Sequence, residues 1–234
     1  MANVEIYRGS RLSAADILEH GSPRVILATG AAWRRDGIGR SLSAPLPGLS
    51  ALRVMGPEDI FAGAKADGPV VVYDDDHYYL GGLLAEKLRL AGLEVTIVTP
   101  AADVSRWTHA TLEQGWIEER LRKLGVAIIE KHTLAAYAGE LQIAHLHGGP
   151  PRGLPCATLV PVTMRLPDDG LYAELAADPA PLQGAGIKSV LRIGDCLAPF
   201  TIAAAVYAGH RAARELDEPP ADGVPFKREM IALE

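Results

Sequence analysis

The most regular hydrophobic pattern in the chain lies between Pro69 and Pro100. Val70–Tyr73 is a short unbroken apolar run, as in a strand buried on both faces of a parallel sheet. Leu80, Leu84, Leu88 and Ala91 then recur at helical spacing, and Leu83 widens the stripe. Gly92 ends that helix, as glycine does where the chain must turn left-handed. Val95–Val98 is a second apolar run. The stretch predicts a βαβ unit, and the first turn of such units ordinarily holds a dinucleotide pyrophosphate. Here that turn carries Asp74, Asp75 and Asp76.

The flanking patterns extend the alternation. Val4–Tyr7 alternates and predicts a strand; Ser13 with Asp16 forms a capping box for a helix ending near Gly21. Arg24–Ala28 is an apolar strand ending in Thr29-Gly30, and Ala31–Met55 is irregular. Pro57 suits the first turn of a helix to Ala64, and Lys65–Gly68 reads as a linker. Leu112, Trp116, Ile117, Leu121 and Leu124 mark the buried face of a helix that Gly125 stops; Trp107 and Trp116 are expected in core or interdomain packing. Val126–Ile129 is a strand. Thr133–Tyr137 and Leu141–Leu146 predict an antiparallel hairpin, and Gly148–Pro155 a loop. Ala157–Val162 and Ser189–Ile193 are strands. Leu171–Ala177 and Thr201–Leu216 are helices, and Val224–Glu234 a surface tail.

Strands alternating with helices imply an α/β fold with mostly parallel sheet. The hairpin and the discontinuous order imply two layers, one domain inserted in the other: 1–64 with 184–234 outside, 65–183 inside. Composition is compatible, with 48% apolar and 22% charged residues in 234. A net charge of −6 gives no reason to expect nucleic acid or an acidic membrane surface as partner. No apolar run is long enough to span a bilayer, and MANVEIYRGS does not read as a secretory signal. Two distant cysteines, Cys156 and Cys196, fit a reducing, cytoplasmic setting.

The dinucleotide fingerprint is GxGxxG. Counting back from Ala85-Glu86, Gly81 takes the third glycine position, whereas Tyr78 and Asp76 take the second and first. The glycine for close helix–strand packing is kept and the two facing phosphate are lost. Three carboxylates repel a pyrophosphate by about 1 kcal/mol per close pair even in water, against roughly 0.3–1 kcal/mol from the helix N-terminus. NAD(P)H is therefore not expected to bind, and the aspartates are expected to form a solvated, helix-capping turn rather than a metal site. His145 and His147 share a strand face, but two ligands do not make a zinc site. Cys196 is expected to be a small buried filler, and no GxSxG elbow occurs. No catalytic residue and no metal ligand are assigned.

Ala28-Thr29-Gly30 and Gly194-Asp195, the latter followed by an alanine-rich helix, sit on either side of the βαβ unit. An aspartate at a strand's C-terminal end can accept from sugar hydroxyls, and the next helix can face phosphate. With these signposts the chain resembles the C-terminal region of the trimethylamine dehydrogenase family, which includes dimethylamine and histamine dehydrogenases. The stretches that carry the likeness are RVILATGAAWRRDGIGR, VVVYDDDHYYLGGLLAEKLRLAGLEVTIVTPAADVSRWTHATLEQ, RIGDCLAPFTIAAAVYAGHRAAREL and VPFKREMIA.

The resemblance implies two Rossmann-like domains of the glutathione-reductase type, an inserted NAD-like domain and an incomplete outer FAD/ADP-like one. Thr29, Gly30, Gly194, Asp195 and Thr201 would border an ADP or FAD site. Met164 stands where relatives usually have glycine, which disfavours nucleotide approach at the inserted domain. The resemblance also implies an absent N-terminal barrel with FMN and a 4Fe–4S cluster, where amine is oxidised. Electron-transferring flavoprotein would accept the electrons, and the parent would be a homodimer. The chain is expected to be a fragment beginning at the outer domain's third strand, inactive alone, with apolar sheet exposed. Two other readings stay open: a stand-alone adenine-nucleotide-binding or redox-partner docking module, and an NAD(P)H-dependent reductase of the 2,4-dienoyl-CoA reductase type.

Overall fold

The structure, a computed structural model, describes residues 3–216. The expected surface tail from Val224 lies outside the described residues. In chain order the first elements are α1 (Ala14–His20), β1 (Arg24–Leu27), β2 (Ala31–Trp33), β3 (Arg53–Val54), α2 (Pro57–Phe61) and β4 (Val70–Asp74). Next come α3 (Tyr79–Leu90), β5 (Val95–Val98), α4 (Gln114–Lys123), β6 (Ala127–Ile129), β7 (His132–Tyr137) and β8 (Leu141–His145). β9 (Arg152–Leu154), β10 (Thr158–Val162), β11 (Arg165–Pro167), α5 (Gly170–Ala176), α6 (Pro179–Gly184), β12 (Ser189–Arg192) and α7 (Ile202–Glu215) complete the order.

The chain divides into two compact units, 32–166 and the two flanking stretches together. The boundaries thus lie inside β2 and β11, not at 64/65 and 183/184 as the sequence suggested. The reason is pairing: β3 joins the inner sheet through β10 (Thr158↔Arg53), and Leu175 of α5 belongs to the outer core.

The inner unit is built on a five-stranded parallel sheet of order β3-β10-β4-β5-β6. Period-two alternation sends its side chains to opposite faces. Val70 and Val72 pack with Leu84, Leu88 and Leu121 under α3 and α4. Val71 and Tyr73 pack with Leu134, Leu141 and Ile143 of the antiparallel sheet β7-β8-β9. The predicted hairpin is present, and β9 falls in the stretch expected to be loop. Three layers bury every residue of β4, which is why its sequence is an apolar run rather than an alternation. The helix face predicted at 112–124 holds only in part: Leu121 is buried, while Leu112 is 86% and Trp116 74% exposed. The helix begins at Gln114, so Leu112 precedes it, and no described residue covers Trp116. Trp107 is likewise exposed.

In the outer unit β1 and β12 pair in parallel, Arg24↔Ser189 through Leu27↔Arg192. Leu27, Ile17, Leu175, Ile187 and the filler Cys196 form its core. α1 has the predicted capping box: Ser13 Oγ accepts from the Asp16 amide and Asp16 Oδ2 from the Ser13 amide. Thr201 caps α7. Residues 4–7 form no strand, because no described strand pairs with them. Ile26, Leu191, Ile202 and Tyr207 are exposed.

Candidate functional site

In an open parallel sheet, ligands bind beyond the strand C-termini where the strand order reverses. In the inner unit that place lies between β4 and β10, beside the Asp74–Asp75–Asp76 turn. The turn is not solvated, which corrects the expectation. Asp74 and Asp75 are both 0% exposed. The Asp75 and Asp76 amides donate to Val162 O at 2.9 and 3.0 Å, tying the turn to β10.

Asp74 lies against the first turn of α3. A Cβ at Gly81 would sit 2.6 Å from Asp74 Cγ, so Gly81 makes room for the carboxyl. Oδ1 accepts from the His77 amide at 3.0 Å, and Oδ2 has no partner among the described residues. Burial, with Asp76 and Asp75 nearby, pushes the Asp74 pKa up to about 7. His77 takes φ of +66° to make this turn. Its Nε2 lies 3.5 Å from Asp75 Oδ1 and its Nδ1 3.4 Å from Thr99 Oγ1. Burial lowers its pKa, partly offset by Asp75.

Residues 34–46 form a strap over this turn, which the sequence reading left as irregular chain. The Arg34 amide donates to Met164 O at 2.9 Å. The Ser41 amide and hydroxyl donate to Asp75 Oδ2 and Oδ1, each at 2.8 Å. A Cβ at Gly39 would lie 2.4 Å from Asp75 Oδ2 and 2.9 Å from Thr163 Cβ, so only glycine lets the strap close down. Arg40 stacks 4.7 Å over Trp107 and faces Asp76, whose pKa burial nonetheless raises. Gly39, Arg40 and Ser41 are therefore positions built into this turn that the pattern reading missed. The glycine pair in RRDGIGR was the available signal.

The five residues expected to border a nucleotide lie in the outer unit. Parallel pairing of β1 with β12 brings both strand ends together, and the Ile193 amide donates to Leu27 O at 3.0 Å. Thr29 Oγ1 donates to Asp168 O and lies 3.1 Å from Cys196 Sγ. Gly30 has φ of +85°, and a Cβ there would meet nothing within 4 Å. Gly194 has φ of +58° and opens the short turn that carries Asp195. Asp195 Oδ1 accepts from the Phe200 amide at 3.1 Å, and Thr201 Oγ1 from the Ala204 amide at 3.4 Å. Thr29 lines a cavity of about 1210 Å³ with Asp168, Leu27 and Ile17. Gly30, Gly194, Asp195 and Thr201 are not on its wall.

The spacing of His145 and His147 hid a neighbour: His132 packs edge-to-face on His145, centroids 5.1 Å apart. No group of three or more His, Cys, Asp or Glu able to hold a metal occurs among the described residues.

Residues 55–152 match the model of the OYE-like second alpha/beta domain. The chain is 34% identical over 244 residues to dimethylamine dehydrogenase of Hyphomicrobium sp. (strain x), covering 94% of this chain and 33% of that protein. Histamine dehydrogenase from Rhizobium sp. 4-9 superposes with a TM-score of 0.94 at 46% identity, over 99% of this chain and 36% of that one. The 6-hydroxypseudooxynicotine amine oxidase of Pseudomonas geniculata N1 gives 0.85 at 38%, over 91% and 32%. The chain thus spans about a third of the length of these relatives. Similarity this strong, running from end to end of the chain, means that it belongs to the trimethylamine, dimethylamine and histamine dehydrogenase family.

Proposed function

We propose that this chain is the nucleotide-domain segment of an amine-oxidising flavoprotein, and that its inner unit is a dinucleotide-binding fold closed to NAD(P)H. The carrying observation is the filled switch point. The Asp74 carboxyl occupies the space over the first turn of α3, where a pyrophosphate would approach. The strap seals Asp75 with two hydrogen bonds from Ser41. A dinucleotide would have to displace the strap and leave buried carboxylates beside its own charge. These residues do not fit the cofactor, and this weighs against the NAD(P)H-dependent reductase reading.

The outer unit is the better place for an adenine nucleotide, ADP or FAD. Open space at Gly30 allows close backbone approach. The half-buried Asp195 at the end of β12 carries a carboxylate suited to a sugar hydroxyl. Catalysis belongs to FMN and a 4Fe–4S cluster in the remainder of the parent. This chain's two cysteines cannot supply four cluster thiolates, and Cys196 is buried. On this reading the chain alone does not oxidise amines. The parent is a cytoplasmic homodimer that passes electrons to an electron-transferring flavoprotein.

The test is turnover of the parent enzyme with amine and an artificial electron acceptor, without NAD(P). Amine-dependent reduction of the acceptor is expected. An obligatory requirement for NADPH, with reduction of an enoyl thioester instead, overturns the reading.

A further inference from the structure

On the helical face of the inner unit, α3 and α4 leave a groove of about 510 Å³ between them. Gly82 sets its depth: a Cβ there would lie 3.3 Å from both Ile117 Cγ2 and Ser105 Oγ, so glycine lets the helices close over this floor. Leu83 and Trp116 stand on its walls, and Tyr79 lies at one end. Trp116 belongs to the apolar stripe of its helix, yet its indole is 74% exposed. The pattern provides an apolar face that the described residues leave open.

The charges in the groove do not cancel. Arg120 Nε donates to both oxygens of Glu86, at 2.8 and 2.9 Å, and neutralises it. Glu113 has no basic partner among the described residues. The Tyr79 hydroxyl donates to its carboxylate, and Tyr79 also hydrogen-bonds Thr111 at 3.0 Å. Hydrogen bonds from Tyr79 and Thr111 hold the Glu113 carboxyl below its ordinary pKa, so it is an anion at neutral pH. The groove therefore pairs one uncompensated carboxylate with an open indole, the aromatic group that binds cations best. A neutral hydrophobe would cover the carboxylate without compensating it, and an anion would be repelled. The volume falls in the range of small-molecule sites.

We propose that the α3–α4 groove binds a small hydrophobic organic cation, an aryl- or alkylammonium, with its charge at Glu113 and its apolar body on Trp116. The site is separate from the sealed dinucleotide turn and does not depend on the proposed function. Calorimetric titration with a phenylalkyl-trimethylammonium ion, and with the neutral isostere that has carbon in place of nitrogen, tests it. The ammonium should bind saturably, one per chain, and at least about tenfold more tightly than the isostere. Glu113→Gln keeps an acceptor for Tyr79 and should weaken the ammonium about tenfold while leaving the isostere unchanged. Trp116→Ala should weaken both, and because Trp116 is exposed the melting temperature should not move. Equal affinity for the isostere, no saturation by about 10 mM, or unchanged binding in either variant overturns the proposal.

Discussion

Asp74→Asn removes the carboxyl whose burial brings its pKa closest to neutrality. Asp74 is wholly buried, with Oδ2 unpartnered among the described residues. Burial, aided by Asp76 and Asp75 and opposed by amide bonds from His77 and Asp76, raises its pKa from 3.8 to about 7. A group with a folded-state pKa above its unfolded value contributes stability that is whole below the unfolded pKa. That contribution is lost as pH rises through the folded pKa. The window therefore runs from about pH 4 to about pH 7, with the full loss above it. Roughly three pK units at about 1.4 kcal/mol each set an upper bound of about 4 kcal/mol, which relaxation around the charge reduces. Asparagine keeps the shape and the acceptor for the His77 amide but has no charge to bury. His77 works in the opposite sense, since its lowered pKa adds stability that is lost as pH falls. It is present in both proteins and cancels in the difference. Urea denaturation, followed by circular dichroism from about pH 4 to about pH 9, should show the two proteins within about 1 kcal/mol at the acid end. At the alkaline end the variant should be more stable by about 2–4 kcal/mol. Parallel stability curves, or a variant equally destabilised at all pH values, would refute the reasoning.

Three further outcomes follow from the same geometry. Gly81→Ala places a methyl group 2.6 Å from Asp74 Cγ and should lower stability by about 1–3 kcal/mol in urea melts; an unchanged melt would mean that α3 does not rest on Asp74. Ser41→Ala removes one of two strap bonds to the buried Asp75. It should cost roughly 1.5–3 kcal/mol and speed tryptic cleavage after Arg40, read by mass spectrometry. Burial raises the Cys156 thiol to about 11, so at about pH 8 only about one molecule in a thousand carries the thiolate. Alkylation by iodoacetamide should be correspondingly slow and should accelerate on unfolding.

The sequence was most legible where local chemistry alone decides the structure. Unbroken valine runs mark strands buried on both faces, and β4 is buried on both. Ser13 and Asp16 cap a helix within four residues of chain. Gly81 read correctly as a packing glycine, although its neighbour proved to be the Asp74 carboxyl. Legibility failed where distant segments meet. Nothing local says that Ser41 will bond to Asp75, 34 positions away, so a run of aspartates looked like a solvated cap. Leu112 and Trp116 keep helical spacing yet stay exposed, because spacing reports a possible apolar face and not whether anything covers it. The unit boundaries were displaced for a similar reason: the two-residue β3 is too short to announce itself, but its pairing with β10 decides which unit it joins.

The central claim is that the inner βαβ turn keeps the dinucleotide fold and excludes the dinucleotide. Calorimetric titration of this chain with NADH and NADPH tests it directly. No saturable heat is predicted for either up to about 1 mM. A one-to-one isotherm with micromolar affinity for either nucleotide would contradict it.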